Sequence, residues 1–172
     1  MKIIQGSIIS NFFFFFCIAS NVFGAAASNP NISFVNVGQG NCVVVDCTDG
    51  EKLVVDCGSS TRIGVLLDGK QPKETEMGQY VQKEYFQEGI NKEVVILVTH
   101  PDQDHLNLLK HIFTESKLEE IPKITLLLGG PIEDYFTTGT ASDLIEHFAV
   151  KNPKALIVSI CLAKLAQPSN MA

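Results

Sequence analysis

Basic residues are scarce in this chain. It carries 13 lysines and arginines against 19 aspartates and glutamates, which gives a net charge of −6. Proteins that bind nucleic acid nonspecifically neutralise its phosphates with clustered lysine and arginine. The charge therefore does not indicate nucleic-acid binding. The sequence also has no internal repeat and no low-complexity linker, and 172 residues are enough for one globular domain.

The N-terminus lacks an apolar run long enough to span a membrane. Residues 12–19 are continuously apolar, but a span needs about 20 such residues. A single lysine precedes the run and small residues follow it at positions 24–28, which is the layout of a secretory signal peptide. We predict a signal peptide over residues 1–27, a mature domain over 28–172, and a secreted or periplasmic location. The alternative is an uncleaved membrane anchor formed by residues 3–19.

The cysteines do not form the paired Cys-x-x-Cys blocks of a structural zinc site. If Asp49-Gly50 is a two-residue turn, Cys42 lies opposite Cys57 in a hydrogen-bonded pair, with Cα atoms about 5.5 Å apart. That separation permits a disulfide, and export would favour one. Buried free cysteines are the alternative. Four cysteines remain after cleavage of the signal peptide: Cys42, Cys47, Cys57 and Cys161.

A cluster of metal-ligating residue types follows the apolar run that ends at Val98. His100 and Asp102 are two positions apart, so they project to the same side of an extended backbone. Asp104 and His105 begin a helical pattern, so a second metal could lie beside the first. Imidazole nitrogens and carboxylate oxygens suit Zn²⁺, and also Mn²⁺ or Fe²⁺. A polar loop whose histidines are merely hydrogen-bonded is the alternative.

Apolar and β-branched segments alternate with helical patterns after a start that is rich in strands. This order predicts an α/β or mixed α+β fold in which helices pack on a sheet. The polar residues 61–75 are expected to form an irregular connection. The predicted strands cover residues 31–37, 42–47, 52–57, 94–98, 124–128 and 155–160, and the predicted helices cover 76–88, 106–113 and 141–150.

The sequence Thr-His-Pro-Asp-Gln-Asp-His at residues 99–105 resembles the His-x-His-x-Asp-His loop of the metallo-beta-lactamase fold, with Asp102 in place of the second histidine. It is similar to the branch that contains the hydrolase domain of DNA-uptake competence proteins. Val-Gly-Gln-Gly-Asn resembles the opening turn of that branch, with Asn41 replacing an acid. Leu-Val-Val-Asp-Cys-Gly resembles the strand whose aspartate, here Asp56, supports the metal loop.

This resemblance implies a hydrolase in which metal-activated water attacks an ester or phosphoester. It implies that His100 and Asp102 hold one metal ion and that Asp104 and His105 hold a second. Alternatively, Asp104 orients the nucleophilic water, which makes it the candidate catalytic residue. One or two zinc ions are expected, with manganese or iron as alternatives. The substrate, a small molecule or a phosphoester, is not identified by the sequence.

The resemblance also suggests supporting roles for two further residues. Asp56 would accept a hydrogen bond from the N–H of a ligand histidine and so fix its tautomer, although an aspartate at this position could simply cap a turn. Asn41 would line the mouth of the pocket or only form the turn.

The family fold is a duplicated αβ/βα sandwich whose remaining ligands come from its second half. Only 67 residues follow His105 here, and the two histidines among them, His111 and His147, lie in predicted helices. We therefore expect a partial sandwich, truncated at the C-terminus, whose uncovered sheet favours a homo-oligomer or a partner chain that completes the fold. A noncatalytic fragment that binds at most one metal is the alternative to an active hydrolase, and a small secreted domain with a structural loop is a third.

Overall fold

The computed structural model describes residues 3–5, 29–60, 73–87 and 92–160. Within these ranges the strands form one mixed sheet in the order β1-β7-β6-β5-β4-β3-β2. The strands are β1 (Ile3–Gln5), β2 (Asn31–Phe34), β3 (Val43–Asp46), β4 (Lys52–Val55), β5 (Glu93–Val98), β6 (Lys123–Gly129) and β7 (Leu156–Ile160). The helices are α1 (Glu74–Tyr85), α2 (Gln103–Leu106), α3 (Leu109–Ile112), α4 (Glu115–Glu120), α5 (Ile132–Tyr135) and α6 (Gly139–Lys151).

The sheet changes from antiparallel to parallel at its centre. Strands β2, β3 and β4 pair in antiparallel fashion, whereas β4, β5, β6 and β7 are parallel. Parallel neighbours require a crossover, and helices provide one between each of these pairs. The predicted mixed α/β fold, a sheet packed by helices, is therefore confirmed. This topology places the carboxyl ends of β4 and β5 side by side.

Helices cover one face of the sheet. Along β5 the side chains alternate, so that Val94, Ile96 and Val98 are fully buried while their neighbours are half-buried. On α6, Leu144, Ile145 and Phe148 are also buried, at the spacing of one helical face. The core against this face includes these side chains from the helices: Met77, Val81, Leu106, Leu109, Ile112, Leu144, Ile145 and Phe148.

The opposite face of the sheet is also apolar but less buried. Register places Phe34, Val43, Val55 and Leu97 in one row across four strands. Phe34 is 82% exposed, and the other three are half-buried. Apolar surface of this kind is often an association site. The expected homo-oligomer or partner chain stays a prediction, which the molar mass in solution would test.

The register of the β3–β4 hairpin differs from the prediction by one residue. Val43 pairs with Val55, and the turn contains three residues rather than two, because the N–H of Cys47 donates to the carbonyl of Glu51. Gly50 has φ +90°, the left-handed conformation that a three-residue hairpin loop requires at its last position. The predicted ladder pair of Cys42 with Cys57 is therefore wrong, although the two residues do meet beyond the end of the ladder.

Two helix predictions also need correction. The predicted helix over 106–113 is interrupted between α2 and α3, because the backbone N–H of Leu108 donates to the carbonyl of Cys57 instead of to the preceding helical turn. Beside this break, the buried side chain of Asn107 donates to the carbonyl of Ser59 and to the carboxylate of Glu74. The predicted 76–88 helix begins two residues earlier, and Tyr80, expected on its apolar side, is 50% exposed. Helices α4 and α5 were not predicted because each is short.

The signal-peptide and anchor predictions concern residues that lie mainly outside the described ranges. The described part of this region, Ile3–Gln5, pairs in parallel with β7. In the described part of the chain, no helix is both long enough and apolar enough for a membrane span. Most of the predicted irregular connection at 61–75 and Cys161 also fall outside the described residues. These predictions stay predictions.

Candidate metal centre

The candidate site lies at the carboxyl ends of two parallel strands. Asp56 follows β4 and Thr99 follows β5, and the backbone N–H of Asp56 donates to the carbonyl of Leu97 at 2.7 Å. Loops at this edge of a parallel sheet are held by rigid strands, which is why ligand sites often form there. The two predicted segments, 43 residues apart in sequence, thus become neighbours.

Asp56 is the centre of the hydrogen-bond network. Its side chain is fully buried, and its backbone has φ +54°, an uncommon conformation for a residue with a Cβ. Its Oδ1 accepts the backbone N–H of Thr99 at 2.8 Å. Its Oδ2 accepts the Asn41 side-chain amide at 3.0 Å and faces Nδ1 of His105 at 2.9 Å. A buried carboxylate needs such donors to offset its loss of hydration.

His105 is oriented by this carboxylate. Asp56 Oδ2 lies 2.9 Å from Nδ1 and can only accept, so a neutral ring in this position donates from Nδ1 and presents the Nε2 lone pair on its other side. Nε2 lies 3.8 Å from Asp104 Oδ2. This is the arrangement in which proteins hold a metal-binding imidazole: a carboxylate on one ring nitrogen and the metal on the other.

His100 and Asp102 form a second pair of potential ligands. Nε2 of His100 lies 3.3 Å from Asp102 Oδ2, as expected from side chains two positions apart on extended backbone. Both side chains are solvent-accessible, at 43% and 67% exposure. The rings of His100 and His105 have centroids 3.7 Å apart, so the two donor pairs are adjacent.

Thr99 contributes more to the site than the sequence indicated. Its hydroxyl lies 2.9 Å from Asp56 Oδ2, 3.1 Å from Oδ1 and 3.1 Å from Nδ1 of His100. It thus contacts both the buried carboxylate and a candidate ligand. In the sequence, this role was indicated only by the position of Thr99, between the end of a buried strand and the first histidine.

Backbone hydrogen bonds join the candidate loop to the two upstream turns. The N–H of Asn41 donates to the carbonyl of Asp104 at 3.1 Å, and Gly58 N–H donates to the carbonyl of Asn41 at 3.0 Å. Cys57 donates its N–H to the carbonyl of His105 at 2.7 Å. Asn41 therefore both forms the turn and donates to Asp56, so its contacts with the site are indirect, through that carboxylate and the loop backbone.

The same segments are packed so closely that two positions accept only glycine. A Cβ on Gly58 would lie 2.5 Å from the backbone of Asp104 and His105, and one on Gly40 would lie 2.1 Å from the Gly58 carbonyl oxygen. Such contacts are too short for any side chain. The glycines let the upstream turns approach the candidate loop and so hold its backbone in place.

A disulfide links the two upstream turns. Cys42 and Cys57 are bonded, with Cα atoms 4.1 Å apart. They follow Asn41 and Asp56 directly in sequence, so the bridge adjoins Asp56, which contacts His105, and Asn41, which donates to Asp56. The Cα distance is shorter than the 5.5 Å expected for a ladder pair because Cys57 lies beyond β4, after the turn at Asp56.

The two remaining histidines take no part in this cluster. Nε2 of His147 lies 2.7 Å from the carbonyl oxygen of Phe113, between α6 and the end of α3. Burial and the neighbouring Lys110 lower the pKa of His111 on α3. The sequence placed both in predicted helices, and the structure has His111 on α3 and His147 on α6.

The donor chemistry of the loop fits zinc, but its four side chains do not form a complete coordination shell. In a tetrahedral zinc site, ligand atoms lie about 3.4 Å apart because each is about 2.0–2.2 Å from the ion. The His100–Asp102 distance of 3.3 Å and the His105–Asp104 distance of 3.8 Å are compatible with pairs of ligands. Among the described residues, however, no group of three or more His, Cys, Asp or Glu is arranged to hold a metal ion.

Comparison with known families identifies the domain. A family model described as Metallo-beta-lactamase superfamily matches residues 35–123, a little more than half of the chain. The chain belongs to the metallo-beta-lactamase superfamily. The matched region contains both upstream turns, β5 and the candidate loop, so the superfamily assignment covers the whole cluster around Asp56. No curated protein and no solved structure matches the chain.

Proposed function

We propose that this superfamily member is a metal-dependent hydrolase whose loop at residues 99–105 binds zinc. The observation that carries the proposal is the contact between the buried Asp56 carboxylate and Nδ1 of His105, which leaves Nε2 available as a ligand. A histidine that only completes a polar loop has no need of a fully buried carboxylate at this position. Manganese and iron accept the same ligand types and are the alternative ions.

The proposed ligands form two pairs. His100 and Asp102 hold the first ion, and Asp104 and His105 hold a second or, with one ion bound, Asp104 orients the attacking water. When bound, the metal lowers the pKa of water and stabilises the charge that develops on the substrate. The chain itself keeps the rings in place through Asp56 and Thr99 and holds the loop backbone through the N–H groups of Asn41 and Cys57.

The proposed substrate class is an ester or phosphoester, and the proposed branch is the one containing the hydrolase domain of competence proteins. The branch assignment is supported by the Val-Gly-Gln-Gly-Asn turn and the Thr-His-Pro-Asp-Gln-Asp-His loop. The amide of Asn41, where that branch has an acid, donates to the carboxylate of Asp56.

A hydrolysis assay tests this function. The zinc- and manganese-loaded full-length chain would be assayed on bis-p-nitrophenyl phosphate, p-nitrophenyl acetate and a chromogenic cephalosporin, with Asp104→Asn as the variant. We expect phosphodiester or ester hydrolysis that falls at least about 100-fold in Asp104→Asn, because misplacing a metal or the attacking water by a small distance costs about that much in rate. Asp143→Asn, an exposed position on α6, is the matched control and should keep full activity. Equal hydrolysis by both variants would contradict the proposal.

A noncatalytic domain that binds at most one metal is the second candidate function. It is favoured by the absence, within the described residues, of any group of three or more donors around one point. This candidate predicts metal binding by the loop without hydrolysis of any of the three substrates. A partner chain that supplies further ligands would restore activity when mixed with this chain.

Export is proposed as the cellular context. It is supported by the apolar run at residues 12–19 and by the Cys42–Cys57 bridge, since disulfides persist mainly in oxidising compartments. Expression of the full chain in a bacterial host, followed by N-terminal sequencing of the exported product, tests it. A new N-terminus between residues 25 and 28 is expected, and retention of Met1 on a product confined to the cytoplasm would contradict it.

A further inference from the structure

We infer that Thr99 is a positioning residue that transmits the influence of Asp56 to His100. One buried carboxylate would then fix the tautomers of both histidines, directly for His105 and through the Thr99 hydroxyl for His100. All of the hydrogen bonds involved join groups of this chain. Its purpose, to present two imidazole nitrogens to zinc, rests on the function proposed above.

The Thr99 hydroxyl has a single proton to donate. Asp56, as a carboxylate, has only acceptor oxygens, and both lie within hydrogen-bond distance of Thr99 Oγ1, at 2.9 and 3.1 Å. A hydrogen bond to an ionised acceptor is stronger than one to a neutral imidazole. The hydroxyl proton is therefore donated to Asp56, where the backbone N–H of the same threonine also binds at 2.8 Å.

The hydroxyl oxygen then has only lone pairs to offer to His100. Nδ1 of that ring lies 3.1 Å away, so it must be the donor in this contact. A neutral imidazole carries one proton, and placing it on Nδ1 leaves the Nε2 lone pair of His100 unoccupied. This Nε2 is the atom that lies 3.3 Å from Asp102 Oδ2, the other member of the first proposed ligand pair.

His105 should also carry its proton on Nδ1, but without depending on Thr99. Its Nδ1 lies 2.9 Å from Asp56 Oδ2 but 3.4 Å from the Thr99 hydroxyl, so the carboxylate is its main partner. The two rings therefore differ in their dependence on Thr99: His100 needs the hydroxyl, whereas His105 needs only Asp56. This difference makes the inference testable within one molecule.

The test is the tautomer of each ring in the metal-free full-length chain at about pH 8, where an ordinary histidine is neutral. Long-range proton–nitrogen NMR spectra distinguish Nδ1–H from Nε2–H rings. We expect both His100 and His105 to be Nδ1–H in the parent. In Thr99→Val, His100 should lose this preference while His105 keeps it, and Thr99→Ser, which retains the hydroxyl, should restore the parent spectrum.

Two features keep the test decisive. Thr99 is exposed and its N–H bond to Asp56 survives in valine, so the variant is expected to fold, as an amide spectrum would verify. The parent spectrum needs no variant at all, and an Nε2–H tautomer for His100 in it would overturn the inference. So would an Nδ1–H tautomer for His100 that persists in Thr99→Val.

Zinc titration separates this inference from the proposed function. We expect the zinc affinity to fall about 10- to 100-fold in Thr99→Val and to stay within about 3-fold of the parent in Thr99→Ser, as is typical when a residue that orients a ligand is removed. If the parent binds no zinc, the proposed function fails while the tautomers still decide the role of Thr99. If zinc affinity is unchanged in Thr99→Val, the positioning role is overturned even though the chain binds metal.

Discussion

Asp56 Oδ2 lies 2.9 Å from Nδ1 of His105, although 49 positions of sequence separate the two residues. The contact depends on the parallel pairing of β4 and β5, which places the end of one strand beside the loop that follows the other. It joins a fully buried charge to a ring that remains 18% accessible to solvent. The stability of the fold and the order of the candidate site should therefore change together when this contact is disturbed.

Removal of the buried carboxylate should be costly. In Asp56→Ala, the backbone N–H of Thr99 and the side-chain amide of Asn41 lose their acceptor. Two donors that lose their acceptor around a buried carboxylate site lower the free energy of unfolding by on the order of 2–4 kcal/mol. Urea unfolding followed by circular dichroism measures the change.

Asp143→Ala is the control for this variant, because Asp143 is exposed on α6. Its free energy of unfolding should lie within about 0.5 kcal/mol of the parent value. Equal stability of the two variants would show that the hydrogen bonds to Asp56 contribute nothing to the fold.

The close approach of the turns can be tested with two glycines. Gly58→Ala forces a Cβ to within 2.5 Å of the backbone between Asp104 and Leu106, so the loop must move. We expect a loss of about 1–3 kcal/mol in unfolding free energy, as for other overpacked positions, and a weaker affinity for zinc. Gly139→Ala, at the start of α6, meets nothing within 4 Å and should be neutral or slightly stabilising. A Gly58→Ala chain with parent stability and parent zinc affinity would contradict the described packing.

Reduction of the disulfide should loosen both upstream turns. The bridge joins Cys42 to Cys57, 15 positions apart, and closing a loop of this length contributes about 3 kcal/mol in the chain-entropy estimate. Urea unfolding with and without a strong reductant should show a loss of about 2–4 kcal/mol in the parent. The Cys42→Ser/Cys57→Ser double variant is the control, and its stability should not respond to the reductant. A parent that is equally insensitive would mean that the bridge is not formed in the purified chain.

Stability should decrease as the pH falls below the ordinary histidine range. Burial is the main cause that lowers the pKa of His111 from 6.5, and Lys110 adds to it. The unfolded chain then binds this proton more readily than the folded chain, so the stabilisation is complete above pH 6.5 and is lost as the pH falls toward the folded pKa. Urea midpoints between about pH 7.5 and about pH 5.5 measure it. His111→Gln should show a smaller decrease than the parent, and an identical pH profile would contradict the assignment.

The sequence predicted the strands and the long helices well because their signals are local. Strand β5 and helix α6 have apolar residues at the spacing of a buried strand and of an amphipathic helix, and both lie within two residues of the predicted bounds. The loop after β5 was predicted as a ligand cluster because its residue types are unusual in combination, and metal binding by it stays a prediction.

The hairpin register and the helix break were not predictable from local patterns. On both β3 and β4 nearly every position is apolar, so a shift of one residue leaves similar side chains on each face, and the signal at Asp49-Gly50 is compatible with either loop length. The helix is interrupted after Asn107 because the backbone N–H of Leu108 donates to the carbonyl of Cys57, which is distant in sequence. The role of Thr99 was also not predictable from local sequence, because its partner Asp56 is distant in sequence.

The central claim, that the loop at residues 99–105 binds metal, is tested most directly by elemental analysis. The purified full-length chain would be incubated with zinc, freed of excess ions, and compared with the His100→Ala/His105→Ala double variant and with His147→Gln. We expect one or two equivalents of zinc in the parent and none in the double variant. His147→Gln should bind as much zinc as the parent, because the ring of His147 contacts the carbonyl of Phe113 and not the candidate loop. A folded parent without zinc, manganese or iron, or a double variant with undiminished zinc, would contradict the claim.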